Sequence, residues 1–120
     1  MRYGMVIDLK KCIGCYGCAV ACKAENATPP GVLWCRVVKQ ESGTYPLVRR
    51  ISVPLQCMHC GEPECLKVCP TGATFKHPNG IVDIDAELCV GCRYCMMACP
   101  YDQRFFLSAE RTYFPGHTTP

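Results

Sequence analysis

Cysteine is the residue type in this chain whose number and spacing could do chemistry. All but one of the 13 cysteines in its 120 residues fall into three runs, spaced C-x2-C-x2-C-x3-C, C-x2-C-x4-C-x3-C-P and C-x2-C-x2-C-x3-C-P. The runs are Cys12, Cys15, Cys18 and Cys22; Cys57, Cys60, Cys65 and Cys69; and Cys89, Cys92, Cys95 and Cys99. Runs of this kind bind [4Fe–4S] clusters, and in the two-cluster pattern the fourth cysteine ligates a different cluster from the first three.

Two other uses of cysteine fit this pattern less well. A structural zinc site needs four ligands, usually from two separated C-x2-C pairs, and each of these runs offers more closely spaced thiolates than that. A disulfide scaffold is typical of secreted chains, but the N-terminal MRYGMVIDLKK has no apolar segment with a cleavage site and no twin-arginine pair. The spacing therefore favours iron–sulfur clusters.

The crossover of the fourth cysteine pairs the second run with the third. One predicted ligand set is Cys57, Cys60, Cys65 and Cys99, and the other is Cys89, Cys92, Cys95 and Cys69. The first run offers Cys12, Cys15 and Cys18 to a third cluster, for which the chain has no obvious fourth ligand. Cys35 lies outside the runs, in VLWCRVV, and is expected to be a free, buried cysteine on a strand.

Residues within and beside the runs are expected to support the clusters. Gly14 and Gly91 precede the second cysteine of their runs, where a positive φ would aim N–H groups at sulfur. Pro70 and Pro100 follow the last cysteine of theirs and are expected to end a helix. His59 lies between two cysteines of a complete run, so we expect it to face solvent or to support the ligands rather than bind iron.

The elements that position the runs are short, and part of the chain repeats. Residues 6–18 (VIDLKKCIGCYGC) and 83–95 (DIDAELCVGCRYC) share Ile-Asp, three residues and then C-x-G-C-x2-C. Each copy is predicted to contain a strand, a cysteine loop and a short helix. The predicted strands are Tyr3 to Leu9 and Ile81 to Ile84, and the predicted helices are Tyr16 to Ala24 and Tyr94 to Ala98.

Further elements are expected between the two copies. Pro63 suits the first turn of a short helix through Leu66 to Val68, and Thr74 to Lys76 should pair with the second strand across Asn79-Gly80. VLWCRVV and YPLVRRISV flank ESG and predict a β excursion over residues 31–55. We therefore predict an α+β fold, a bacterial two-[4Fe–4S] ferredoxin-like core with a pseudo-twofold internal repeat and a small β excursion.

Charge and composition exclude several classes of function. The formal net charge is +3 with cysteines counted as neutral, and three clusters of about −2 each would change it to about −3, which removes the electrostatic argument for nucleic acid. Apolar runs are a few residues long, so membrane association would need a partner. The sequence has no Ser/His/Asp set, phosphate-binding glycine loop or nicotinamide or flavin motif, so we do not expect an enzyme.

The motifs resemble a known family. MRYGMVIDLKKCIGC, ACKAEN, GTYP, QCMHCGEPECLKVCPTGA and the third run through CMMACPYD are similar to the N-terminal part of the four-cluster ferredoxin-type subunits of molybdopterin oxidoreductases. That group includes the small subunits of dimethyl sulfoxide, polysulfide/thiosulfate, tetrathionate and respiratory arsenate reductases. The resemblance covers essentially the whole chain.

The resemblance implies a function and a longer protein. Such subunits pass electrons through [4Fe–4S] clusters between a molybdopterin catalytic subunit and a membrane quinone-linked anchor, on the periplasmic or cytoplasmic face. Their first run pairs with a fourth run, so Cys22 is expected to ligate a fourth cluster, and the ligand completing the first is expected beyond Pro120. On this interpretation residues 1–120 are one iron–sulfur domain and a fragment. The alternative is a free-standing soluble polyferredoxin that shuttles electrons between diffusing partners.

Overall fold

The computed structural model describes residues 1–2 and 4–107, which form an α+β chain of short elements. In chain order these are α1 Gly17–Glu25, β1 Arg36–Thr44, β2 Leu47–Leu55, α2 Glu64–Lys67, β3 Thr74–Lys76, β4 Val82–Ile84 and α3 Tyr94–Ala98. The described residues divide into two units: the paired-run unit (Met1–Met5 without Tyr3, and Cys57–Phe106) and the first-run unit (Val6–Gln56 and Leu107). Among the helices in the described ranges, none is long and apolar enough to span a membrane.

A β-hairpin in the paired-run unit confirms the predicted strand pair. β3 and β4 are antiparallel with Phe75 opposite Asp83. The backbone N–H of Gly80 donates to the His77 carbonyl at 2.9 Å, and that of Ile81 donates to Asn79 Oδ1 at 3.1 Å. Gly80 takes φ +92, a conformation that glycine adopts without the cost a Cβ would bring. The Asn-Gly dipeptide therefore fixes the register of this hairpin.

Two short helices follow cysteine loops in this unit. α3 ends at Ala98, as predicted, because Cys99 precedes Pro100 and is held in the extended region, with φ −78 and ψ 111. α2 begins at Glu64 and ends at Lys67, so Pro63 immediately precedes the helix rather than lying in its first turn. The predicted bounds of α2 were wrong by one or two residues because a single helical turn has no periodic pattern to mark them.

The first-run unit contains the second hairpin. β1 and β2 are antiparallel from Arg36 opposite Leu55 to Thr44 opposite Leu47. ESG lies inside β1, so the prediction that it separates the strands was wrong. The chain reverses at Tyr45-Pro46, joined by a cis peptide bond; Pro46 has no N–H to donate to a ladder and so occupies the turn.

The strand predicted for the first repeat copy is absent from the described residues. Gly4 to Leu9 form no strand there, and Tyr3 lies outside the described residues. Asp8 Oδ1 accepts from the Lys10 N–H at 2.9 Å and its carbonyl accepts from the Lys11 N–H at 3.1 Å. Asp85 Oδ1 accepts from the Glu87 N–H at 2.9 Å in the same way after β4, so the two copies differ in the Asn-Gly hairpin that gives β4 its partner and not in this turn.

Gly43 in β1 offers a test of the hairpin. It takes φ +102, and an added Cβ would collide with the Leu47 carbonyl oxygen. We expect Gly43→Ala to destabilise the hairpin by about 1–3 kcal/mol, measured as faster hydrogen exchange of the β1 and β2 amides. Gly4→Ala is the control, because Gly4 has ordinary backbone geometry and open space around it. Unchanged exchange in Gly43→Ala would contradict this account of the turn.

Candidate functional site

One cavity of the paired-run unit is lined by four thiols. The cysteines lining it are Cys57, Cys60, Cys65 and Cys99. Met58, Pro63, Val82 and Tyr101 supply apolar or aromatic wall, and Gln103 and Arg104 supply polar groups. Three cysteines of one run and the last of another therefore converge, and four thiols are the ligand complement of one [4Fe–4S] cluster. The residues present fit that group.

The third run brings its first three cysteines close together. Burial raises the pKa of the Cys95 thiol; Arg104 opposes this, and the charges of Cys65, Cys92 and Cys89 act in the same direction as burial. Cys95 therefore lies within electrostatic range of its own run and of Cys65. The predicted placement of Cys69 with this set stays a prediction.

Backbone N–H groups donate to the last cysteine of each paired run. The N–H of Gln103 donates to Cys99 Sγ at 3.4 Å, and the N–H of Thr74 donates to Cys69 Sγ at 3.4 Å. The Thr74 donor is the main reason that the pKa of Cys69 is lowered to about 7. Donors aimed at sulfur stabilise the thiolate that an iron ligand must be. Sequence analysis did not find these contacts, because any residue except proline supplies such a donor.

A buried arginine adds a charge to the cavity. Arg104 is 9 % exposed, and its Nη2 donates to Cys65 Sγ at 3.1 Å. Burial opposes its charge, but the hydrogen bond to Cys65 and the charges of Cys65, Cys95 and Cys57 outweigh burial and raise the pKa of Arg104. Sequence analysis missed this residue. The only available signal was a charged residue five positions after Cys99, in a segment rich in aromatic residues.

Loop contacts fix the second run beside the cavity. His59 takes φ 43, and its Nδ1 accepts from the Val82 N–H at 3.0 Å. Lys76 Nζ donates to the Cys60 carbonyl at 2.9 Å and to the Gly61 carbonyl at 2.6 Å. His59 therefore ties its loop to β4, which is the kind of supporting contact expected for it.

Gly14 and Gly91 take the positive φ predicted for them, +69 and +71. A Cβ on Gly14 would lie 2.5 Å from Ser52 Oγ, and one on Gly91 would lie 3.0 Å from Phe106 Cε2. Both positions thus combine a left-handed backbone with a close neighbour, and both conditions favour glycine. Their N–H contacts to sulfur stay a prediction.

The first run occupies the other unit. Cys12 and Cys22 are half-buried, and Cys15 and Cys18 are exposed. The Asn26 side-chain amide donates to the Cys22 carbonyl at 2.8 Å and lies 3.7 Å from Cys22 Sγ. Within the described part of the chain, no group of three or more His, Cys, Asp or Glu residues is arranged to hold a single metal ion.

Cys35 lies beside the first run. Burial, then a hydrogen bond with Cys18, then the charges of Cys18 and Cys22 raise the pKa of the Cys35 thiol to about 11. The expectation of a buried cysteine on a strand was wrong in two respects: Cys35 is half-buried, and β1 begins one residue later, at Arg36. The apolar residues VLW suggested a strand, but in the structure they pair with no other strand of the described residues.

Comparison with known proteins defines the class of this chain. Residues 48–113 match the family model described as a 4Fe-4S dicluster domain, and residues 9–25 match a 4Fe-4S binding domain. The first match covers both cysteine runs of the paired-run unit. The chain belongs to the 4Fe–4S dicluster family, and its cofactors are [4Fe–4S] clusters, as the cysteine spacing predicted.

Curated relatives are similar over most of the chain. A selenate reductase subunit of Mesobacillus selenatarsenatis is 56% identical over 106 residues, 88% of this chain and 36% of the relative. The arsenate respiratory reductase iron-sulfur subunit of Shewanella sp. is 48% identical over 84% of this chain and 43% of its own length. A tetrathionate reductase subunit of Salmonella typhimurium is 48% identical over 92% of this chain and 45% of its own length. The chain thus spans less than half the length of each of these relatives.

The raised pKa of Cys35 predicts its reactivity. Only the thiolate is alkylated, and it forms as pH rises through about 11 instead of the ordinary 9.0. At about pH 8 we expect iodoacetamide to label Cys35 at least ~10-fold more slowly in the folded chain than in urea. Mass spectrometry of the Cys35 peptide measures both rates. Equal rates at about pH 8, or a folded-state rate that levels off below about pH 9, would contradict the assignment.

Proposed function

We propose that this chain transfers electrons through [4Fe–4S] clusters as the iron–sulfur subunit of a molybdopterin oxidoreductase. The observation that carries the proposal is the cavity lined by Cys57, Cys60, Cys65 and Cys99, with donors to sulfur on its wall. The names of the relatives support it, since they are subunits of selenate, arsenate and tetrathionate reductases. The proposed partners are a molybdopterin catalytic subunit and a membrane quinone-linked anchor subunit.

The ligand sets follow the crossover of the fourth cysteine. The paired-run unit holds one cluster on Cys57, Cys60, Cys65 and Cys99 and another on Cys89, Cys92, Cys95 and Cys69. The first run contributes Cys12, Cys15 and Cys18 to a third cluster, and Cys22 to a fourth. Of these sets, the first is supported by convergence on one cavity, and the second by the electrostatic proximity of Cys89, Cys92 and Cys95.

The chemistry divides between cofactor and chain. Bound [4Fe–4S] clusters supply one-electron transfer at potentials that depend on hydrogen bonds to sulfur and on solvent exposure. The chain supplies thiolates, the donors of Gln103, Thr74 and Arg104, and an apolar wall including Met58 and Val82 that limits water. This division fits an electron-transfer subunit that breaks no substrate bond itself.

The internal repeat extends to backbone conformation in the cysteine loops. Tyr16 precedes α1 with φ 62 and ψ 6, and Arg93 precedes α3 with φ 64 and ψ 7. Together with the matching φ of Gly14 and Gly91, these values give the first and third loops the same local path. This similarity supports the proposed pseudo-twofold repeat within one iron–sulfur domain.

Iron and sulfide counting tests the ligand sets. Anaerobically purified chain should contain about eight irons and eight sulfides if the paired runs are loaded, and about twelve of each if the first run is loaded as well. Cys99→Ala should lower the count by about four, because the cluster of the second run loses its ligand. Electron paramagnetic resonance of the reduced protein should lose one signal in parallel.

Cys35→Ala is the matched control for that experiment. Cys35 lies outside every proposed ligand set, so the iron count should equal that of the unaltered chain. Zinc in place of iron would overturn the cluster assignment. An unchanged count in Cys99→Ala would overturn the crossover.

Co-expression with a molybdopterin subunit tests the proposed partnership. We expect the chain to co-purify in a fixed ratio with a co-expressed molybdopterin catalytic subunit, and its reduced clusters to be oxidised on addition of that subunit's substrate. A chain that stays alone and exchanges electrons with several soluble donors would instead be a polyferredoxin. A chain that carries its clusters but does not co-purify would contradict the partnership, whereas a chain without iron would contradict the cluster assignment.

A further inference from the structure

We propose that Arg104 sets the order in which the two clusters of the paired-run unit accept electrons, by raising the reduction potential of the cluster on Cys57, Cys60, Cys65 and Cys99. This inference rests on the proposed ligand sets. Both proposed sites have four cysteine ligands, so a residue outside the cysteine runs would cause the difference between their reduction potentials. Arg104 acts through a ligand sulfur and is therefore a positioning and charge-supplying residue, not a ligand.

Neutral donors reach the last cysteine of both runs. Cys99 accepts the Gln103 N–H and Cys69 accepts the Thr74 N–H, both at a donor–sulfur distance of 3.4 Å. Thr71 adds further hydrogen bonds to Cys69, and its neutral Oγ1 lies 3.8 Å from Cys69 Sγ. Neutral donors are weaker than charged ones at the same sulfur. We therefore expect a charged group at one site to outweigh this difference in neutral donors.

Arg104 is that group, and its hydrogen bond goes to only one of the two proposed ligand sets. Its Nη2 lies 3.1 Å from Cys65 Sγ, within hydrogen-bonding distance of one ligand set, and it lines the cavity of that set. It also acts on Cys95 of the other set, but through charge alone. Since a Coulomb interaction weakens with distance, the set containing Cys65 receives the larger effect.

Burial makes the charge effective. Arg104 is 9 % exposed, so water screens its guanidinium poorly. Asp83 also interacts with Arg104, but the Asp83 side chain is 58% exposed and hydrogen-bonded to His77, so solvent weakens its compensation. The adjacent cluster with its four thiolates is about −2 when oxidised, and one added electron increases its attraction to the buried cation. The reduced state of that cluster is thus stabilised, while the guanidinium keeps its proton and no bond is made or broken.

A redox titration of the cluster-loaded full chain, followed by electron paramagnetic resonance, tests the proposal. In Arg104→Gln we expect the reduced-to-oxidised ratio of one cluster at fixed potential to fall about tenfold, a drop of about 59 mV for a one-electron couple. A second cluster should shift less, in the same direction. The cluster whose potential changes most in Arg104→Gln should have the higher potential of the two clusters in the unaltered chain.

Lys67→Gln is the matched control for loss of charge. Lys67 lies in the same unit between Cys65 and Cys69, but its side chain is 53% exposed and paired with Glu64 at 2.7 Å. We expect its removal to change each ratio less than about threefold, because water screens the charge. An equal effect in Lys67→Gln would mean that net charge, not the buried contact, sets the potentials, and would overturn the proposal.

Arg104→Lys separates tuning from folding. Lysine keeps the charge without the guanidinium fork, so the same step should shift by less than in Arg104→Gln, with the order of the steps retained. Unchanged potentials in Arg104→Gln at full iron content would overturn the proposal. If Arg104→Gln fails to load iron, a reversed order of the two steps in a loaded Arg104→Lys, or failure of both variants to load, would overturn it too. Absence of iron–sulfur signals from the unaltered chain would instead contradict the ligand sets.

Discussion

The paired-run unit depends on how the close approach of several thiols is compensated. Cys57, Cys60, Cys65 and Cys99 line one cavity, and as thiolates they would repel one another unless positive charge or hydrogen-bond donors compensate them. The unit has little apolar core to resist that repulsion; in its described residues the buried apolar side chains are Pro63, Ala73 and Val82. Iron supplies the main compensation when bound, so in this unit ligation and folding are coupled.

Backbone geometry is what brings the thiols together. A left-handed residue precedes α3, and Pro100 ends it, so the helix is five residues long and Cys99 leaves it in an extended conformation. The next few residues then turn back, and the Gln103 N–H meets the Cys99 sulfur. Cys69 is reached by the Thr74 N–H in the same manner after Pro70. A short helix, a proline and a turn thus give the last cysteine of each of these two runs a backbone donor without any particular side chain.

Sequence alone predicted the features that depend on spacing and on special residues. The β3–β4 hairpin followed from Asn79-Gly80, and the bounds of α3 from its cysteine loop and Pro100. It did not predict where β1 begins or turns, because the apolar residues before Arg36 and the polar ESG obscured a register set by Pro46. Nor could spacing place Cys35 beside Cys18, or Arg104 beside Cys65, since both contacts join residues far apart in the chain.

The cysteine pattern thus determines some properties of the candidate sites and leaves others open. Ligand type and local loop path follow from the runs, and relatives named as subunits of selenate, arsenate and tetrathionate reductases match most of this chain. Potential depends instead on donors and charges around the sulfurs, which the pattern does not specify. A buried guanidinium is costly unless a negative site adjoins it. Its position at Cys65 therefore places a positive charge directly beside the thiols that line the cavity.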